Sequence, residues 1–200
     1  NGPGNLEDYF QVMQQYDGFC GGMVWEWCDH AIDKGYTAEG KKIYYYGGDH
    51  GEYPHDGNFC MDGLVYPDRR PHTGLKEFKN VHRPARAVSF DEARGTVKIH
   101  NYMDFVNLKD YCTIHWEVSC DGEMIASGAV EDENLLNIVP HEEGEITLNL
   151  PAAKYGKCYL KLNWMLKEEN GVLPKNWELG FDEIELSSSD SQNRKAAEIL

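Results

Sequence analysis

Apolar positions follow two different periods along this chain, and the change falls near Arg83-Pro84. In the first part Leu6, Tyr9, Phe10, Met13 and Tyr16 recur at helical spacing, with Glu7 and Asp8 near the start where the helix dipole favours acids. Asp17-Gly18 ends that pattern. The run Phe19–Trp27 is predicted to be a buried strand in which the paired glycines Gly21 and Gly22 permit close backbone approach. From Asp33 to Pro67 no period persists, which predicts a long irregular stretch, and loops of that size usually carry function. Pro71, Leu75, Phe78 and Val81 then predict a short helix with proline near its first turn. Helix, buried strand, long loop, helix is the rhythm of a parallel α/β barrel, but eight such units need about 250 residues. Residues 1–83 therefore predict an incomplete (β/α)8-barrel remnant.

After Pro84 the period becomes two. Val97/Ile99, Cys112/Ile114/Trp116/Val118/Cys120, Ile146/Leu148/Leu150 and Cys158/Leu160/Leu162/Trp164/Leu166 each place apolar residues at alternate positions, with polar ones between. Asp121-Gly122, between two alternating runs, signals a hairpin turn. With Ala85–Phe90 before and Trp177–Leu186 after, about seven strands result, enough for an immunoglobulin-like β-sandwich over 84–187. Gly180, near a phase change in the last run, marks a candidate bulge. Residues 188–200 read as a polar tail with a weak helical pattern. The fold class is thus mainly β, a sandwich preceded by a barrel remnant.

Composition narrows the function classes. The 200 residues carry 34 acidic against 19 basic side chains, a net charge of −15, which argues against nucleic acid and anionic membrane surfaces as partners. No apolar run approaches the roughly 20 residues of a membrane span. Hydrophobic residues at 41% and aromatics at 12% suffice for a packed core. Most glycines and aromatics precede residue 83, as expected of site-building loops on a scaffold, whereas the larger share of the negative charge follows it. The six cysteines include no Cys-x-x-Cys pair and predict free buried thiols in a reducing, cytoplasmic compartment, with disulfides and a periplasmic or secreted location as the alternative. The start, Asn1-Gly2-Pro3-Gly4-Asn5, reads as the interior of something longer.

The densest chemistry lies in Trp25-Glu26-Trp27-Cys28-Asp29-His30, Tyr44-Tyr45-Tyr46-Gly47-Gly48-Asp49-His50-Gly51-Glu52 and Asn58-Phe59-Cys60-Met61-Asp62-Gly63. Indoles and phenols that stack on sugar C–H faces, beside carboxylates that accept from hydroxyls, suit carbohydrate. The competing interpretation makes Trp25 and Trp27 core residues and the acids solvated loop residues. A zinc site at His50, His55, Asp56 and Cys60 matches no standard ligand spacing. Glu26, Asp29, Asp49 and Glu52 are candidates for acid and base work by residue type only.

Gly21-Gly22-Met23-Val24-Trp25-Glu26-Trp27-Cys28-Asp29, Tyr46-Gly47-Gly48-Asp49, Asn58-Phe59-Cys60-Met61-Asp62-Gly63-Leu64-Val65 and Asp68-Arg69-Arg70-Pro71-His72 form four ordered blocks. They resemble the closing part of the central barrel in large microbial β-galactosidases of glycoside hydrolase family 2, and the second half resembles, more weakly, the sandwich that follows it. The resemblance implies that Trp25 is the floor of the galactose pocket. It also implies that the Phe59 backbone carbonyl and the Asp62 side chain bind a sodium ion beside the sugar. The family pattern has Asn where Asp62 stands, which keeps an oxygen donor and adds charge.

The family's retaining mechanism uses two Glu carboxyls about 5–5.5 Å apart. Its nucleophile lies in a Glu-Tyr-x-His-x-Met-Gly-Asn run that Asn1-Gly2 resembles only at its end. The resemblance places both catalytic Glu residues and the magnesium ligands upstream, with Glu26 and Glu52 as supporting groups. The chain is therefore expected to be an inactive fragment of a retaining β-galactosidase. Its expected partners are the rest of the barrel and, through the parent, a β-galactoside; the parent is expected to be a homo-oligomer. Two alternatives stand beside this: a carbohydrate-binding or interaction sandwich using Trp116, Trp164 and Trp177, or a fragment of a related glycosidase such as a β-glucuronidase.

Overall fold

A computed structural model describes residues 3–151 and 156–187. The chain divides into two compact units, Asn1–His82 and Arg83–Leu200. The expected helical tail lies outside the described residues.

In the first unit helix α1 (Leu6–Gln14) carries Glu7 and Asp8 in its first turn, as its sequence pattern requires. Its one buried side chain, Phe10, meets the edge of the His82 ring. His82 closes α2 (Thr73–Val81) and its ring also lies against Phe78, so an aromatic contact joins the two helices. Pro71 precedes α2, outside its first turn.

Two expectations for this unit are corrected. Residues 19–27 form no strand. A barrel strand exchanges backbone bonds with neighbours on both sides, and among the described residues none lies beside this segment; only Cys28 makes an isolated bridge, to Val65. Conversely, the stretch from Asp33 to Pro67 is not wholly irregular, since β1 (Ile32–Tyr36) and β2 (Lys42–Tyr45) pair as an antiparallel hairpin. Lys42 bonds Asp33 across it at 2.6 Å. A 3-10 turn at Gly57–Cys60 follows.

The second unit is a sandwich. One sheet has the order β3 (Ala85–Asp91), β4 (Thr96–Asn101), β7 (Glu143–Thr147); the other has β6 (Glu123–Ala129), β5 (Cys112–Cys120), β8 (Cys158–Leu166), β9 (Glu178–Leu186). All pairings are antiparallel. Counted within the unit, the first, second and fifth strands share a sheet, and the third pairs with the fourth and sixth, an immunoglobulin-like arrangement. A short helix α3 (Leu108–Tyr111) leads into β5.

Alternation produced these strands because each has one face against a common core. Val97, Ile99 and Ile146 from one sheet meet Ile114, Val118, Leu160, Leu162 and Trp164 from the other, all buried. Asp121 and Gly122 both take positive φ, which matches the hairpin signal between β5 and β6. The expected bulge is present: Trp164 pairs with Gly180 and Met165 with Glu178, so Leu179 is the extra residue.

The prediction of six free thiols is corrected for Cys120 and Cys158, which form a disulfide. These residues are direct partners in the β5–β8 register, with Cα atoms 4.1 Å apart, a cross-strand relation that sequence spacing does not reveal. Cys20, Cys28, Cys60 and Cys112 are free.

Buried polar groups tie the two sheets. The Asp182 carboxylate on β9 accepts from Arg83 at 2.6 Å, from the indole N–H of Trp164 at 2.8 Å and from the Ala87 amide on β3 at 3.2 Å. Trp164 is fully buried and Trp116 lies across Gly128, its partner on β6, so both indoles serve the sandwich, while Trp177 is exposed. No helix among the described residues is long and apolar enough to cross a membrane.

Candidate functional site

The three residues singled out as sugar and cation contacts come from segments more than thirty positions apart, and the first unit brings them to one open cleft of about 300 Å³. Trp25, Phe59 and Asp62 line it together with Glu26, His30, Gly47, Asp56, Gly57 and Cys60. Trp25 is 75% exposed and Phe59 79% exposed, so neither is core. An indole face left open beside carboxylates is the composition a pyranose requires.

Backbone bonds explain how the cleft is built. Residues 26–29 and 62–65 lie side by side: Glu26 N–H donates to the Asp62 carbonyl (3.1 Å), Leu64 to the Glu26 carbonyl (2.9 Å), Val65 to Trp27 (2.9 Å) and Asp29 to Val65 (3.0 Å). His30 N–H reaches the Cys60 carbonyl at 3.0 Å. Gly63 must be glycine, because a Cβ there would fall 2.2 Å from the Asp29 nitrogen. Gly47 is similarly confined, its Cβ position 2.5 Å from the Gly57 carbonyl oxygen. The Gly-rich blocks thus bring loop backbones within contact distance at the cleft wall.

The candidate acids sort by their partners. Glu26 pairs with His30 at 3.1 Å. Asp49 accepts from the Tyr46 amide at 2.9 Å. Glu52 accepts from the amides of Gly48 (2.6 Å) and His50 (3.0 Å), and these backbone bonds hold its carboxyl below the ordinary value. A general acid needs the opposite shift, so Glu52 is a turn-forming carboxylate. Asp29, 3% exposed, bonds the Gly63 amide through one oxygen (2.8 Å) and His72 Nε2 through the other (2.7 Å). His72 lies against Tyr66, Arg70 lies over the same ring, and Arg70 and the Tyr44 hydroxyl both donate to Asp68. The Asp29–His72 pair was not legible in the sequence, because forty-odd residues separate its members and neither belongs to a spacing motif.

Asp62 differs from the other acids. Its Oδ1 is shielded from solvent and has no hydrogen-bond partner. A shielded, unpartnered carboxylate oxygen is costly unless a cation meets it, so the residues present fit a hard monovalent ion held by oxygen donors. Among the described residues no group of three or more His, Cys, Asp and Glu side chains is arranged to hold a metal, so the geometry does not assemble His50, His55, Asp56 and Cys60 into a zinc centre.

Comparison with known proteins decides the ancestry. Residues 1–87 match the family described as Glycosyl hydrolases family 2, TIM barrel domain, and residues 97–187 match Beta-galactosidase, domain 4. The chain belongs to glycoside hydrolase family 2. It is 43% identical over 190 residues to a β-galactosidase of Actinobacillus pleuropneumoniae, covering 95% of this chain and 18% of that protein. To the Staphylococcus xylosus β-galactosidase it is 39% identical over 92% of its length, and to that of Priestia megaterium 31% over 93%. The chain spans about 18% of the length of each of these relatives. Within the family, the open cleft belongs to the barrel match and the sandwich to the domain 4 match.

Proposed function

We propose that the protein to which this chain belongs is a retaining β-galactosidase that removes terminal β-D-galactosyl residues. In this reading Trp25 is the platform for the galactose ring, and the Phe59 carbonyl with the Asp62 carboxylate contributes to a sodium site at the sugar's edge. The observation that carries it is the convergence of an exposed indole and a shielded, unpartnered carboxylate oxygen on one cleft of a family 2 barrel.

Each residue has a separate task. The Trp25 face covers the apolar side of the ring and excludes water there. Asp62 and Phe59 present oxygens to the cation, and a bound sodium ion would supply positive charge to which a sugar hydroxyl can orient. Glu26 and Asp29 hold the loops that carry these contacts. Magnesium belongs to the parent protein in this reading, through ligands outside this chain.

The 200 residues contain no Glu-Tyr-x-His-x-Met-Gly run, and none of the acids in the cleft has the environment of a nucleophile or a proton donor. Without a nucleophile no glycosyl-enzyme intermediate forms, so the chain by itself turns over nothing. The test compares the full-length protein with the 200-residue chain on nitrophenyl β-galactoside and nitrophenyl β-glucuronide. The full-length protein is expected to cleave the galactoside, and Trp25→Leu in it to lower kcat/KM by about 10-fold or more, the loss of one stacked ring contact in a closed site. Turnover by the isolated chain, or a preference for the glucuronide, overturns the reading.

A further inference from the structure

The peptide joining Asp62 to Gly63 is fixed at both of its polar ends. Its carbonyl accepts from the Glu26 N–H at 3.1 Å, and its N–H donates to the Asp29 carboxylate at 2.8 Å. Asp29 is itself buried and is held at its other oxygen by His72 at 2.7 Å. His72 in turn is held by Tyr66, whose ring centroid lies 3.7 Å from its own, and by its backbone N–H, which donates to the Leu64 carbonyl at 3.0 Å. The orientation of that peptide sets the backbone torsion from which the Asp62 side chain departs. Glu26 follows Trp25 directly, so the same clamp fixes the indole relative to the cation oxygens.

We propose that Asp29, oriented by His72, is a positioning residue that couples the cation ligand Asp62 to the sugar platform Trp25. The proposal rests on the reading of Asp62 and Phe59 as cation ligands. Asp29 touches neither the ion nor the sugar; its carboxylate oxygen substitutes for the backbone partner that the Gly63 N–H would find in a regular strand. Residues one step behind a metal ligand typically change ion affinity by about 10-fold or more when removed, and that is the size of effect expected here.

The experiment uses the full-length protein and two substitutions. Asp29→Asn keeps an oxygen that can accept from Gly63 and an amide that His72 can accept from in its other tautomer, whereas Asp29→Leu keeps neither. Sodium affinity is read by 23Na NMR line broadening, and the Gly63 amide by hydrogen exchange of the segment 60–65. Asp29→Leu is expected to weaken sodium binding by about 10-fold or more and to deprotect that segment, with Asp29→Asn within about 3-fold of the unaltered protein. Kinetically, Asp29→Leu is expected to raise KM for a nitrophenyl galactoside at low sodium and to regain the unaltered KM at saturating sodium, a rescue that general damage to the fold would not permit.

Unaltered sodium affinity in Asp29→Leu overturns the proposal, as does an equal loss in Asp29→Asn or an unaltered protein that binds no sodium. If Asp29→Leu does not fold, His72→Leu against His72→Gln carries the same comparison. A protein that binds sodium with the expected Asp29 dependence and yet cleaves no galactoside leaves this inference standing and removes the functional reading alone.

Discussion

Asp68 accepts from Arg70 and from the Tyr44 hydroxyl, and the Arg70 bond above all lowers its carboxyl from 3.8 to about 2. A carboxyl whose folded value lies below its unfolded one stabilises the folded state at pH values above the unfolded one, and that contribution is lost as pH falls through the folded value. The Asp68–Arg70–Tyr44 contact should therefore be intact above about pH 4 and loosen between about pH 4 and pH 2. Following the Asp68 carboxyl and the Tyr44 ring by NMR across this window checks it, and Asp68→Asn should abolish the transition. The contact is exposed to solvent, so added salt should weaken it as well. Glu52 shows the same sign of shift from backbone donors, which separates both residues from any proton-donating role.

The strands of the sandwich could be read in advance because their information is local. Each of β4, β5 and β8 has one face in the core, and a period of two reports that directly. The segment 19–27 has strand-like composition but needs neighbours to be a strand, and so the same reasoning failed there. Cross-strand facts were also beyond reach: the Cys120–Cys158 bond depends on the β5–β8 register, and the Asp29–His72 pair on a tertiary approach. In the cleft, Trp25, Phe59 and Asp62 were identified through ordered blocks resembling a known family, whereas the spacing of acids suggested several candidates without choosing. Asp182 is the element-scale counterpart, a polar residue on β9 that ties Trp164 on β8 and the Ala87 amide on β3 to Arg83. Removing one partner of a buried pair leaves a charge uncompensated, so Asp182→Ala should cost about 3–5 kcal/mol in urea unfolding. Asp182→Asn, which keeps acceptors for the indole and the amide, should cost less.

At the scale of the whole molecule the two units differ in what holds them. The sandwich encloses a continuous core of buried residues from both sheets and adds the Cys120–Cys158 bond, which by loop-closure entropy contributes about 2–4 kcal/mol. The first unit buries only Phe10, Val65 and Val81 among its described large apolar side chains, and leaves Tyr9, Tyr16, Met23, Trp25, Trp27 and Phe59 exposed. Helices and loops with so little buried apolar area open at low free-energy cost, whereas central strands exchange only with global unfolding. Hydrogen exchange on the 200-residue chain should therefore show strong protection in β4, β5 and β8 and rapid exchange across residues 5–30. Residues 83–187 produced alone should keep a cooperative unfolding transition, and residues 1–82 alone should show none. Restoring the rest of the barrel should slow exchange at residues 5–30, because strand-like segments such as 19–27 then gain backbone partners. Full protection of residues 5–30 in the isolated chain would mean that its two helices and the β1–β2 hairpin suffice to stabilise the cleft without further barrel strands.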